Sequence, residues 1–432
     1  MRSRGIIALS PMLVFLVVYL GGSLATGDFY SMPIAVAFMA ACIYALAILR
    51  RDKDGGSLGE LRNRIDIFSH GAGQPNIMLM LWIFLLAGAF AASAKQMGAI
   101  DATVQLAMQW LPDRWLLAGL FLAACFISLS IGTSVGTIVA LTPIAAGVAE
   151  GAELSTAMVV ATVVGGAFFG DNLSFISDTT IMATRTQGCR MSDKFRVNFR
   201  IVMPAAMGAL FIYVLMGADV HTHVDTSEIN AIKVLPYVVV LVTALAGIDV
   251  MVVLCTGLLL SGIVGICYGS YDIIGWCKAM GGGMLNMSEL IIVSMLAGGL
   301  MELMQRAGGL DYLICQLTKH VHSRRSAECT IGALAAFTDV CTANNTIAIL
   351  TVGPLARQMA ERFNIDPRRS ASLLDTFSCF TQALLPYGAQ LLMASGLAGI
   401  NPLNIIPHLY YPFLMGICTV GSVVLQRTKT TE

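Results

Sequence analysis

Charge is what this sequence has least of: 12% of its 432 residues are Asp, Glu, Lys or Arg. A soluble domain needs roughly a quarter of its residues charged to cover its surface, so a water-soluble chain is excluded. The few charges balance, 26 basic against 26 acidic, which leaves no basic footprint and so no nucleic-acid partner. None of the eleven cysteines forms a Cys-x-x-Cys pair. They read as small buried hydrophobes, without a metal or disulfide role. There is no Gly-x4-Gly-Lys-Ser/Thr loop, so ATP does not drive the chain directly. The apolar run 6–24 lacks a small-residue cleavage site followed by a polar segment, and is expected to stay as the first membrane helix.

What the sequence has is apolar stretches of membrane-spanning length, about 20 residues. They fall near 6–24, 32–49, 77–94, 116–149, 156–184, 201–218, 234–248, 250–267, 287–304, 327–360, 371–398 and 404–425. This spacing implies one helical membrane domain with the lipid bilayer as its surroundings. Four stretches are interrupted by small and polar residues: at 132–136, at Gly170-Asp171-Asn172, at 341–345 and at 385–388, which contains Pro386. The interruptions correspond between the two halves. Residues 137–142 read TIVALT and 346–351 read TIAILT, an offset of 209 that also sets Asp178 against Tyr387. Upstream, Ala87-Gly88, Gly98 and Asp101 match Ala297-Gly298, Gly308 and Asp311 at an offset of 210. Paired interrupted segments in two halves point to a transporter site at the repeat interface.

Lys and Arg accumulate on the cytoplasmic side. If all twelve stretches crossed once, the two sides would hold 15 and 11 basic residues. If 116–149 and 327–360 each enter and leave on one side, 22 lie inside and only Lys95, Arg114, Lys233 and Lys278 outside. The expected fold is therefore an all-α polytopic membrane protein of two inverted repeats. Each holds about five transmembrane helices, a re-entrant hairpin and a broken helix. The first repeat is 1–218, an external linker runs 219–233, and the second repeat is 234–432. Both termini are expected in the cytoplasm.

An ionisable side chain inside a bilayer costs about 2.5–3.5 kcal/mol on insertion scales and marks function by default. Asp171, Asp178, Asp339 and Asp375 lie well inside apolar stretches, at or near the interruptions, although Asp also favours helix N-caps. The interruptions add oxygen ligands for a small hard cation: Thr133, Ser134, Asn172, Ser174, Ser177, Thr179, Thr180, Thr342, Asn344, Asn345 and Thr346. Unwound backbone there frees carbonyls as well. Burial favours a neutral carboxyl and a bound cation favours the carboxylate, so one site can hold a proton and a cation in turn. That competition gives antiport when the site alternates between sides. His221, His223 and Asp225 read as a polar external loop.

The run GTSVGTIVALTPIAAGVAEG (132–151), followed by GGAFFGDNLSFISDTT (165–180), resembles the NhaC-type Na+/H+ antiporters. That family shows a G-T-S-x-G-T run and then F-G-D-x-x-S-x-x-S-D-T-T, matched here by Asp171, Ser174, Ser177, Asp178, Thr179 and Thr180. In the second half, Ser372 to Asp375 and Leu384-Leu385-Pro386 resemble the later S-x-x-L-E-D and I-P-W segments, with Tyr387 in place of Trp and one acid aligned. The resemblance implies a secondary transporter of the bacterial inner membrane, not an enzyme. It carries Na+ and H+ and needs no cofactor; a homodimer is among its expected assemblies. Na+ is expected at Asp171, Ser174 and Asp178. The alternative is a Na+- or H+-coupled carrier of an amino acid or small carboxylate. An intramembrane aspartyl protease fits less well, since Phe168-Phe169-Gly170-Asp171 lacks the first glycine of G-x-G-D.

Overall fold

The computed structural model describes residues 2–26, 32–51, 58–110, 112–174, 177–219, 231–246, 248–319 and 321–425. His221, His223 and Asp225 lie outside them. Every regular element among the described residues is a helix, as the apolar runs require. In a bilayer only helices or closed barrels satisfy their backbone groups.

The first half comprises α1 (Arg2–Thr26), α2 (Ile34–Ile48), α3 (Leu61–Ala72), α4 (Pro75–Met97), α5 (Ala99–Trp110), α6 (Leu116–Ile131), α7 (Ser134–Gly151), α8 (Thr156–Leu173), α9 (Asp178–Gln187) and α10 (Met191–Met216). The second comprises α11 (Leu235–Leu245), α12 (Val250–Cys267), α13 (Ile273–Asn286), α14 (Ser288–Arg306), α15 (Gly309–Thr318), α16 (Arg324–Thr342), α17 (Asn345–Arg362), α18 (Pro367–Leu384), α19 (Ala389–Ala398), α20 (Pro402–Ile405) and α21 (Tyr410–Val424). Six helical segments among the described residues are long and apolar enough to span a membrane. A seventh is Pro367–Ala398, bent by 101° against Pro402–His408. The remaining apolar helices, including α2 and α21, are shorter.

Local chemistry explains the interruptions. α6 ends on Gly132 in the left-handed region (φ 76°), and α16 ends on Ala343 (φ 49°). A left-handed residue after the last turn reverses the chain. Asn344 then caps α17, its side chain accepting from the Ile347 amide at 3.0 Å.

Inter-helix contacts fix the direction of each arm. Beside α8, a Cβ on Gly166 would meet Phe121 and Ala124, one on Gly170 would meet Ser128, and Ser174 donates to the Leu129 carbonyl at 3.0 Å. Residue numbers rise together, so α6 runs parallel to α8. α7 runs back against it, joined by the short loop 152–155. α6 and α7 are therefore a hairpin with its tip at Gly132-Thr133. The second half repeats this. Arg369 meets Glu328, Phe377 packs on Gly332, and Tyr387 donates to the Val340 carbonyl at 2.7 Å. α16 is thus parallel to α18, and α16–α17 form the second hairpin.

Packing outside the hairpins also comes in matched pairs. α3 lies on α14 where Gly71 meets Gly298 and Gly299, and α13 lies on α4 where Gly283 meets Gly88. α2 packs on α14 as α12 packs on α4. The second arm of each hairpin supports the far half of the other repeat's broken helix: α7 packs on α19 and α17 on α9. These contacts pair α3 with α13, α4 with α14, α7 with α17 and α9 with α19 across the two halves.

Three expectations need correction. The break in the first broken helix lies between Leu173 and Asp178, so Gly170, Asp171 and Asn172 form the last turn of α8 rather than the break itself. Gly170 serves close approach to Ser128. Lys194, one of the 22 basic residues expected inside, is buried in the first turn of α10. Of the eleven cysteines, five are exposed on the helix surfaces and only Cys42, Cys125 and Cys379 are buried.

Candidate functional site

Asp171 sits in the last turn of α8, buried where the first hairpin tip meets the broken helix. The Ser134 amide, at the start of α7, donates to its Oδ1 at 3.1 Å, and the Ser177 hydroxyl reaches the same oxygen at 3.4 Å. The N-cap residue Thr133 makes no side-chain cap, so Asp171 supplies from a neighbouring helix the negative charge that a helix N-terminus favours. Ser177 and Thr179 share a hydroxyl hydrogen bond of 2.9 Å. The result is a cluster of one carboxylate and three hydroxyl groups, from Ser134, Ser177 and Thr179, all buried.

A polar chain runs from this cluster to the second hairpin. Gln390 Nε2 donates to Ser134 Oγ at 3.0 Å, and Gln382 Nε2 donates to Gln390 Oε1 at 2.8 Å and approaches the Ala343 carbonyl at 3.2 Å. Gln382 and Gln390 bracket the second break, 385–388, which includes Pro386. Both hairpin tips and both broken helices thus share one hydrogen-bonded line through the protein's middle.

Beside it, Asp375 lies about two turns into α18 and is fully buried. Lys194 Nζ is 2.6 Å from Asp375 Oδ2 and also donates to the Asn172 carbonyl (2.9 Å) and to Thr180 Oγ1 (2.7 Å). Asn198 Nδ2 bonds Asp375 Oδ2 and the Asn172 carbonyl at 3.0 and 2.9 Å, and its Oδ1 accepts from Ser372.

The other expected residues are placed differently. Asp178 is exposed in the first turn of α9. Ser174 turns its hydroxyl to Leu129, so Asp171, Ser174 and Asp178 are not gathered round one point. Thr342 Oγ1 donates to the Asn344 carbonyl at 3.1 Å, and the Asn345 side chain accepts from the Thr346 amide at 3.0 Å. These second-tip residues are occupied in shaping the turn. Asp339 is fully buried, and neither carboxyl oxygen has a hydrogen-bond partner.

Sequence reasoning passed over Lys194, Asn198, Gln382 and Gln390, and met Ser372 only within the second-half motif. A signal for the first two was present. Lys194, Asn198, Ile201, Val202 and Ala205 fall at helical spacing on one buried stripe of α10, which places polar residues on the face that seeks the core.

A cavity of about 820 Å3 opens between α4, α5, α7, α13 and α19. It is lined by Lys95, Asp101, Glu150 and Asn286 and reaches inward to Pro143 and Gly396. Towards the other face, beside the second tip, a space of only about 70 Å3 lies between Gln74, Gln305, Thr342 and Tyr387.

Residues 65–218 and 224–427 match the model of the Na+/H+ antiporter family. The chain is 21% identical to the Na+/H+ antiporter NhaC of Alkalihalophilus pseudofirmus, over 79% of this chain and 80% of that one. It is 23% identical to NhaC of Bacillus subtilis, over 80% and 83%. It is 19% identical to the malate-2H+/Na+-lactate antiporter of Bacillus subtilis, over 94% and 92%. Among solved structures, the YdaH transporter of Alcanivorax borkumensis aligns over 90% of this chain and 97% of its own, with a TM-score of 0.45 and 13% identity. The chain belongs to the Na+/H+ antiporter family.

Proposed function

We propose that the protein exchanges Na+ for H+ across a bacterial inner membrane, with Asp171 as the shared carrier. The observation that carries this reading is the placement of Asp171. It is a buried carboxylate at the junction of the first hairpin tip, the first break and the glutamine line to the second tip. A cation there replaces its water with the carboxylate and the hydroxyls of Ser134, Ser177 and Thr179. A proton there neutralises the carboxyl and removes the attraction. The site empties to alternate sides as the hairpins and broken halves move against the scaffold of α4 and α14. The charge bias supports an orientation with both termini and the narrow Gln74 face in the cytoplasm, and the wide Glu150 cavity outside.

The test is reconstitution into acid-loaded vesicles holding a pH dye. External Na+ alone is expected to alkalinise the lumen. A second reading, exchange of a small carboxylate coupled to Na+ or H+, is supported by the match to the malate-2H+/Na+-lactate antiporter over nearly the whole chain and by the 820 Å3 cavity with Lys95 on its wall. It replaces the first if the dye responds only when an organic acid is present.

A further inference from the structure

The buried half of α10 and the end of α8 form a second arrangement that the exchange described above does not use. An ammonium group has three N–H donors and no acceptor. Lys194 Nζ has three oxygens in reach, at 2.6, 2.7 and 2.9 Å: a carboxylate (Asp375), a hydroxyl (Thr180) and a backbone carbonyl (Asn172). The three come from α18, α9 and the end of α8. Carboxylate, hydroxyl and freed carbonyl are the oxygen types that hard cations take. The Lys194 side chain is 1% exposed and Asp375 0%. The second carboxyl oxygen of Asp375 faces the Cys379 thiol at 3.9 Å, and Asn198 adds an amide to the first.

Asp171 differs. The hydrogen bonds that hold it come from the neutral Ser134 amide and Ser177 hydroxyl. Two buried aspartates therefore stand by the C-terminal turn of α8, Asp375 with a cation attached to the chain and Asp171 without one.

We propose that Lys194 is a tethered cation filling a second alkali-cation site built from Asp375, Thr180 and the Asn172 carbonyl, and that its presence limits the protein to one bound Na+ per chain. This deepens the Asp171 reading and rests on it only for the first ion. Removing the ammonium leaves Asp375 as an uncompensated buried charge, which is strongly destabilising unless something positive replaces it. In Lys194→Ala, Na+ takes that place. The ion count rises, and stability comes to depend on Na+, because a ligand that binds only the folded state stabilises it by mass action.

The experiment uses purified full-length protein and radioactive Na+ in equilibrium dialysis, with thermal unfolding measured from zero to saturating Na+ at constant ionic strength. Wild type is expected to bind one Na+ per chain, Lys194→Ala two, and Lys194→Ala/Asp375→Asn one. The Tm of Lys194→Ala should rise with Na+ several times more than that of the double variant. Equal counts in wild type and Lys194→Ala, with no extra Na+ dependence of Tm, overturn the proposal. Should Lys194→Ala not fold, Asp375→Asn in the otherwise native chain decides. Its count stays at the wild-type value if Lys194 occupies the site, and falls by one if Asp375 already holds Na+, which overturns the proposal. A wild-type count of zero sinks the Asp171 reading alone, and Lys194→Ala is then expected to bind one.

Discussion

Among the four membrane aspartates, identical side chains have been given different surroundings, and each surrounding predicts its own response to mutation. Asp171→Asn keeps an oxygen that can accept from Ser134 and Ser177, so the fold should persist. The amide offers no charge to a cation and cannot carry the exchanged proton. Exchange measured in vesicles should fall by about a hundredfold or more, with near-native Tm. Asp178 is exposed, and Asp178→Asn should leave the rate within about twofold, as for most surface changes. A loss as deep as that of Asp171→Asn would move the carrier to Asp178. Glu328 and Arg369 form a buried pair at 3.2 Å, with Ser422 also on Arg369. Glu328→Ala should cost about 3–5 kcal/mol by stranding the guanidinium, measured as lost thermal stability in detergent. At the surface, the Arg368 side chain beside Asp366 holds that carboxyl below the ordinary carboxylate range. Its contribution to the α18 cap is present above that range and is lost as pH falls through the lowered value. Little of this residue-level detail was legible in advance. A lysine one turn inside a helix and a lysine in a loop look alike to a charge count, and hydroxyls that bind ions look like hydroxyls that cap turns.

At the scale of the helix, the interruptions were legible because the chemistry of a break is local. Gly132 and the Ala343-Asn344 pair end one arm and start the next, and Pro386 follows the end of α18. The first broken helix was misplaced by a turn for a physical reason. Glycine serves either a bend or a close approach, and Gly170 serves the second. The same ambiguity covers Gly281 to Gly283. A Cβ on Gly283 would run into the Gly88 carbonyl and the Ala92 side chain, whereas one on Gly281 would meet nothing within 4 Å. Gly283→Ala should therefore push α13 off α4 and cost about 1–3 kcal/mol. Gly281→Ala should be neutral or stabilise by about 0.5–1 kcal/mol. Thermal unfolding of the two variants side by side tests this; equal effects would mean that the helix contact is not tight.

For the whole molecule, the charge bias predicts a topology that can be read chemically. Cysteines placed at Arg190 and Arg368 in a background without native cysteines should resist a membrane-impermeant thiol reagent in intact cells, and those at Glu150 and Asn401 should react. Labelling at residue 190 from outside would refute the hairpin arrangement. The repeat and its meaning as a transporter site were legible from an offset between two short strings, but the way the halves support each other was not. Only the contacts reveal that α7 rests on α19 and α17 on α9. That exchange of supports has a consequence for ancestry. A chain of half this length would bury the faces of its own broken helix only by meeting a copy inserted the other way up. With the inverted repeats that the basic residues predict, such a half-length chain would have to enter the membrane in both orientations from one sequence, which a strong Lys and Arg asymmetry opposes. Two halves in one chain are free to differ, and they do at the buried lysine: the offsets of 209 and 210 set Lys194 against Leu403 and Asn404.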